Sequence, residues 1–334
     1  MKVLVFGAGV IGCYLTHVLC EAGHDVTLLA RGAWKETLET QGLKLRHHLQ
    51  RKTTLDHPSV IDQIDPTVHW DVVFAAMPYH QMQKILPLLA QADTDLVVLI
   101  GNNMRASAMQ EELLKMSAYP KEILFAFQIT GGERLSDHAI VERFGKAGLD
   151  IGALHSLPSQ AAQTKLTVMF EKTGYQMRWQ RDMEAFLFCH PAAVLPIAYL
   201  AYACGGDLRK STRAHRKQML DAPAEAYDRL TQLGIPILPE KDDMFYRPGF
   251  RRFVMRILYF IMAKSAIGDL IACNHCRNAV AEMEMLDKDF TALLEQDGVP
   301  SMPVWNSLKS QMPSWEKIHQ TYDKKRTEKR SREE

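Results

Sequence analysis

The feature that most constrains this chain is its first twelve residues, Met1-Lys2-Val3-Leu4-Val5-Phe6-Gly7-Ala8-Gly9-Val10-Ile11-Gly12. A short apolar run, suited to a buried strand, turns through a G-x-G-x-x-G pattern into helical spacing over Ile11 to Ala22. A second strand pattern, Asp25 to Ala30, follows Gly23-His24. In that context Gly7 makes the tight turn, Gly9 lets backbone N–H groups approach a pyrophosphate, and Gly12 allows the helix to pack against the strand. The first turn of the helix adds unsatisfied N–H donors and partial positive charge. Gly7, Ala8, Gly9, Val10, Ile11 and Gly12 are therefore read as a dinucleotide-binding loop, the alternative being a merely tight structural turn.

The end of the second strand selects the dinucleotide, because a carboxylate there suits the ribose 2'-hydroxyl of NAD and a cation the 2'-phosphate of NADP. The strand ends Leu28-Leu29-Ala30-Arg31-Gly32, without a carboxylate. Arg31 offers a bidentate fork to a phosphate, and Lys35 lies one turn on as a second charge. NADP(H) is the expected cofactor, the alternative for Arg31 being a solvated surface arginine.

Further apolar strands at Asp71 to Ala75, Asp95 to Ile100 and Glu122 to Ile129 alternate with a helical pattern over Tyr79 to Gln91, which predicts a parallel sheet covered on both faces. After Gly131-Gly132, the segments His138 to Phe144, Gly148 to Ala153 and Tyr175 to Trp179 read as short strands extending that sheet. From Met183 onward nearly everything reads as helix, with breaks at Cys204 to Asp207, Leu233 to Pro236 and Gln296 to Gly298. The predicted class is α/β: a Rossmann dinucleotide-binding domain over residues 1–181, an all-α substrate and dimerisation domain over 182–318, and a charged, disordered tail over 319–334 ending in KKRTEKRSREE.

With 40 Lys and Arg against 39 Asp and Glu, no overall field favours nucleic acid or an anionic membrane, and a small-molecule partner is expected. The apolar stretch Ala185 to Cys204 has the length of a membrane span, but it carries His190, Pro191 and Pro196 and is read as a buried helix. The six cysteines read as reduced thiols of a cytoplasmic protein. Cys273-Asn274-His275-Cys276 has C-x-x-C spacing but no second pair to complete a zinc site, so no metal is expected. His47-His48, among Lys44, Arg46, Arg51 and Lys52, is a basic patch, either an exposed loop or an extension of the phosphate pocket.

The opening run MKVLVFGAGVIGCYLTHVLCEAGHDVTLLARG, with Leu99-Ile100-Gly101-Asn102-Asn103-Met104 and the helical second half, resembles the ketopantoate reductase (2-dehydropantoate 2-reductase) family. The resemblance implies NADPH-dependent reduction of a 2-oxo acid to a 2-hydroxy acid, a place in pantothenate biosynthesis, and a homodimer through the helical domain as the protein partner. It places Asn102 at the family's asparagine that contacts cofactor and substrate, with Asn103 where a glycine is usual, and Glu282 at a substrate-binding glutamate. Where the family carries a proton-donating lysine, matching on Pro196 puts Leu187 or Phe188, and neither can protonate an alkoxide. His190, within one turn, is the replacement donor, with Lys264 and Arg256 as other cations; Pro191 is expected to bend or begin the helix here. The missing lysine also admits an inactive NADP-binding sensor or scaffold. A third reading is a related dehydrogenase with a more apolar substrate.

Overall fold

The glycine pattern is realised as β1 (Lys2–Phe6), α1 (Val10–Glu21) and β2 (Asp25–Leu29), with β1 and β2 parallel. The structure, a computed structural model, describes residues 1–143, 145, 147–265 and 268–323. It divides into two units, one over Met1–Glu184 and one beginning at Ala185.

The first unit continues through α2 (Ala33–Gln41), β3 (Leu43–His47), β4 (Lys52–Asp56), β5 (Ser59–Ile61), β6 (Val72–Ala76), α3 (Tyr79–Met82) and α4 (Leu86–Gln91). There follow β7 (Leu96–Ile100), α5 (Ala106–Met116), β8 (Glu122–Phe127), β9 (Gly131–Arg134), β10 (Ala139–Glu142), β11 (Gly148–Gly152), α6 (Gln160–Phe170) and β12 (Gln176–Trp179). The eight-stranded sheet runs β12-β11-β8-β7-β6-β1-β2-β5. It is parallel from β5 to β8, and β11 then runs antiparallel to β8. Every residue of β6 and β7 is buried, as expected of strands covered on both faces. From β1 the chain builds outward through β2 to β5 and then crosses to β6 on the other side, so the carboxyl ends of β1 and β6 form a topological switch point.

Three sequence expectations about this first unit are corrected. The helix expected over Tyr79 to Gln91 is α3, a 3-10 turn and α4, because Pro87 has no N–H to continue one ladder. The strand expected at His138 to Phe144 does not extend the main sheet. As β10 it pairs with β3 and β9 in a second sheet of order β4-β3-β10-β9; Phe144 lies outside the described residues. The basic patch around His47 is neither an exposed loop nor part of a phosphate pocket. Leu43, Leu45 and His47 point inward from β3 while Lys44 and Arg46 point out, an alternation hidden by the density of charge.

In the second unit α7 (Met183–Ala203) runs unbroken through Pro191 and Pro196, so the helix does not begin at Pro191. It is the one described helix long and apolar enough to cross a membrane, and most of its apolar window is buried within the protein. Then come α8 (Arg213–Gln232), α9 (Phe250–Lys264), α10 (Asn274–Asn278), α11 (Val280–Leu294) and α12 (Pro303–Lys309). Asp287, buried on α11, gathers these helices. Its carboxylate accepts from the Tyr199 hydroxyl on α7, from Trp315 Nε1 at 3.0 Å and from Thr291, and pairs with Lys309 Nζ at 2.7 Å. Residues 315–323 are also helical, with Ile318 and Tyr322 buried, so helix reaches into the segment read as a tail; 324–334 lie outside the described residues.

His47 has no exposed surface, donates to or accepts from Thr54 Oγ1 at 2.9 Å, and packs edge-on to His17 at 5.1 Å. Burial, reinforced by the neighbouring His17, Lys52 and Arg143 charges, pushes its pKa from 6.5 down to about 4. Over that interval the unfolded imidazole takes up a proton that the folded one refuses, so this contribution is complete above pH 6.5 and is lost as pH falls toward 4. Thermal melts of His47→Leu should therefore show a shallower fall of Tm between pH 6.5 and 4 than wild type. Equal slopes would assign the acid sensitivity to other groups.

Candidate functional site

The loop Gly7-Ala8-Gly9 leaves the carboxyl end of β1 and enters α1. Gly7 has φ +110°, a conformation that favours glycine, and a Cβ there would lie 2.5 Å from the Ala76 carbonyl oxygen at the end of β6. At Gly12 a Cβ would meet the Gly7 carbonyl oxygen at 1.8 Å, so helix and turn can approach this closely only without a side chain. Gly9 differs: its backbone is extended, and no atom lies within 4 Å of where a Cβ would be. Two glycines make the turn, and the third leaves open space above it. Val10 and Ile11 pack half-buried against the core, which leaves their backbone rather than their side chains to face a ligand. Among the described residues no side chain caps the first turn of α1, and none there is acidic, so its N–H groups suit an anion.

Beside the loop lies a cavity of about 350 Å³. Phe6, Gly7 and Ala8 line it from the end of β1, Leu29, Ala30 and Arg31 from β2, Met77 from the end of β6, Gln81, Lys84 and Ile85 from the α3 region, Trp34 from α2 and Arg134 from β9. Three cations converge there, and no carboxylate is among the described lining residues. Arg134 spans the loop: it donates to the Ala8 carbonyl at 3.3 Å and lies over the Trp34 ring at 5.5 Å. Arg31 lies over the Phe6 ring at 6.0 Å. Beneath the loop, burial pushes the Cys13 thiol up to about 12, so it stays protonated and behaves as a small apolar side chain.

Lys35 does not join this group. Its ammonium is 2.9 Å from Asp62 and 3.6 Å from Glu39. The Asp62 hydrogen bond raises the Lys35 pKa, and Lys35 holds the Asp62 carboxyl below its ordinary value. The second and third charges are instead Lys84 and Arg134, which sequence reasoning missed. Lys84 falls on the polar side of the helical pattern that Met82, Ile85, Leu86 and Leu89 mark out, a signal that was available. Arg134 reaches the loop only through the pairing of the second sheet and left no local signal.

Asn102 follows β7 and is almost fully buried. Gly101, before it, has φ +141° and approaches the Met77 carbonyl, which sets this loop beside the end of β6. Asn103 is not left-handed, so its replacing a glycine does not redirect the loop; its Oδ1 accepts from the Arg105 N–H at 3.0 Å, closing a turn. In the second unit His190 is half-buried on α7, Glu282 is buried in the first turn of α11, Leu187 is buried and Phe188 half-buried. Lys264 is committed elsewhere, donating to the carbonyls of Arg209 and Ser211, and Arg256 lies over the Phe253 ring. The six cysteines form no disulfide, and among the described residues no group of His, Cys, Asp and Glu is arranged to hold a metal.

Residues 3–156 match the family model of ketopantoate reductase PanE/ApbA, and the resemblance read from the sequence is borne out. Solved structures extend the likeness in fold over nearly the whole chain. The PanE/ApbA family ketopantoate reductase of Ralstonia eutropha JMP134 is 20% identical with a TM-score of 0.64, covering 98% of this chain and 100% of its own. The dimeric ketopantoate reductase of Staphylococcus aureus is 11% identical with a TM-score of 0.65, covering 96% and 100%. A ternary structure of D-mandelate dehydrogenase with NADH and anilino(oxo)acetate is 14% identical with a TM-score of 0.62, covering 97% and 99%. No curated protein matches the sequence. The fold is thus that of ketopantoate reductases and related dehydrogenases.

The two glycine environments allow folding and binding to be tested separately. Gly12→Ala forces a Cβ into the turn and should lower stability by about 2 kcal/mol or more. Gly9→Val should change the melting temperature little while weakening dinucleotide binding at least about tenfold, because it fills the space beside the free N–H groups. Isothermal titration beside thermal melts reads both; loss of affinity in step with loss of stability at Gly9 would remove it from the ligand site.

Proposed function

We propose that the protein is an NADPH-dependent reductase of a 2-oxo acid. The observation that carries this is the cavity beside the uncapped first turn of α1, bordered by Arg31, Lys84 and Arg134 with no carboxylate among the described lining residues. Gly7 to Gly12 would hold the pyrophosphate through backbone N–H groups, and Arg31 would take the adenosine 2'-phosphate, with Lys84 and Arg134 adding charge. Asn102, at the end of β7, would contact cofactor and substrate. D-mandelate dehydrogenase, with the same fold, holds NADH and an oxo acid, which supports the substrate class.

Bound NADPH supplies the hydride. What remains for the chain is to hold the substrate and to furnish a proton for the carbonyl oxygen, since an alkoxide forming away from water must be neutralised. With Leu187 or Phe188 at the lysine position and Lys264 spent on backbone carbonyls, His190 is assigned as the donor and Glu282 as a substrate ligand. An imidazole titrates near neutral pH and suits that task. The absence of a lysine at Leu187 or Phe188 also supports a second reading, a cofactor-binding sensor without chemistry.

Fluorescence titration decides the cofactor. Arg31→Ala should weaken NADPH by roughly 10- to 100-fold and leave NADH within about threefold; equal weakening would take Arg31 off the 2'-phosphate. With a panel of 2-oxo acids including ketopantoate, His190→Gln should lower kcat at least about 100-fold while leaving the NADPH dissociation constant within about twofold. Wild-type protein that binds NADPH tightly yet reduces no member of the panel would favour the sensor.

A further inference from the structure

Helix α9 has two unlike faces. On the inner one Tyr259 and Ala263 are buried, and Arg252 pairs with Asp221 on α8. On the outer one Phe250, Phe253, Ile257, Leu258, Phe260 and Ile261 are between 43% and 80% exposed. At about 100° per residue these six fan over roughly 160° of the helix. They offer roughly 600 Å², the upper limit of the largest apolar patch on an ordinary monomer. Cations border the fan. By helical position Arg251 falls on one edge and Arg256 on the other, where its guanidinium lies over the Phe253 ring at 5.2 Å. Arg216 of α8 lies over Phe260 at 5.5 Å, and Arg213, three residues earlier, shares that side of α8. Among the described residues none of these four arginines makes an ion pair with a carboxylate; Arg216 and Arg251 donate only to Ser211 and to the Lys241 carbonyl.

We infer that the outer face of α9 docks on an anionic lipid surface, the helix lying in the membrane plane with its apolar side chains below the headgroups and its arginines level with them. An apolar helical face bordered by cations, on a helix without a carboxylate, is the composition of helices that lie in a membrane interface. At 15 residues α9 is about 22 Å long, too short to cross a hydrocarbon layer of about 30 Å. Arginine suits the border, because its stem lies along apolar surface while its fork reaches lipid phosphates. Charge decides between partners. A second copy would bring the same uncompensated cations to the same edges, whereas an anionic lipid surface supplies the missing negative charge. A partner's helix would need a groove to enter, and these side chains stand out from the surface. The near balance of 40 Lys and Arg against 39 Asp and Glu conceals this one-sided distribution. Carboxylates beside α9 are spent within the protein, Asp221 on Arg252 and both Asp228 and Asp243 on Arg247. None of the docking residues lines the cavity beside α1, so the lipid surface is independent of the reductase reading.

Cosedimentation of the full chain with vesicles, without NADPH or an oxo acid, tests this. Vesicles containing phosphatidylserine should carry the protein down, pure phosphatidylcholine vesicles should not, and raising the salt should weaken binding. Ile257→Asp should raise the lipid concentration for half-maximal binding at least about tenfold, and the exposed Arg213→Glu at least about fivefold, both without changing the thermal melt. Leu114→Asp, a charge on the exposed face of α5 in the other unit, should bind as wild type. Failure to bind phosphatidylserine vesicles, equal binding to phosphatidylcholine, or binding indifferent to Ile257→Asp would each overturn the assignment. A dimer in sedimentation velocity that Ile257→Asp dissociates would overturn it in favour of a second copy.

Discussion

The 1.8 Å between the Gly7 carbonyl oxygen and the place a Gly12 side chain would occupy is the constraint on which the first unit depends. Because that volume is empty, α1 starts close enough to β1 for its first N–H groups to sit directly above the strand ends. Because the Gly7 turn also lies against Ala76, the same contact fixes β1 beside β6. Close packing, a backbone positioned for anions and the order of the central strands all follow from two missing side chains. Interiors packed to crystal density give no room for a gradual compromise at such a place.

The cavity then arises from topology. Strands diverge to either side of β1, and the loops after β1, β2 and β6 separate at their carboxyl ends. What is particular to this chain is the second sheet, which wraps the start of α1 and delivers Arg134 to the Ala8 carbonyl. The glycine loop is held from beneath by β6 and from the side by β9. A loop fixed in this way needs little ordering when a ligand arrives, and preorganisation of that kind favours affinity.

Much of this was legible in the sequence because it is local. Strand, glycine turn, helix and the cation at Arg31 all lie within the first 31 residues, where period and spacing report directly on structure. The central strands were legible too, since doubly covered strands read as unbroken apolar runs. The second sheet was not, because β3 and β9 are polar, short and paired with partners far away along the chain; His47 looks like part of a basic patch until its alternation with Leu43 and Leu45 is seen against β4. Lys35 and Arg134 show the same limit from two sides. One lies near Arg31 in sequence yet pairs with Asp62, and the other lies more than one hundred residues away yet lines the cavity. Charge partnerships are settled by tertiary structure, and spacing along one helix does not reveal them. The helical unit was read as helix because its composition permits little else, whereas the role of Asp287 in joining α7, α11 and α12 has no signature in sequence.

The three cations at the cavity mouth face water, and on the proposed reading this would make ionic strength part of the recognition. Interactions among exposed charges fade over a screening length of about 8 Å in physiological salt and about 30 Å in dilute buffer. The hydrogen bonds offered by the α1 backbone are short-ranged and far less sensitive to salt. If the proposed reading holds, the energy that distinguishes a phosphorylated ribose from an unphosphorylated one would reside in the screened part of the site, and the energy that holds a dinucleotide of either kind in the unscreened part. On the proposed reading, selectivity between two cofactors would depend on Arg31, Lys84 and Arg134 and on the electrolyte around them, while the glycine loop would supply the part of the binding that salt leaves unchanged.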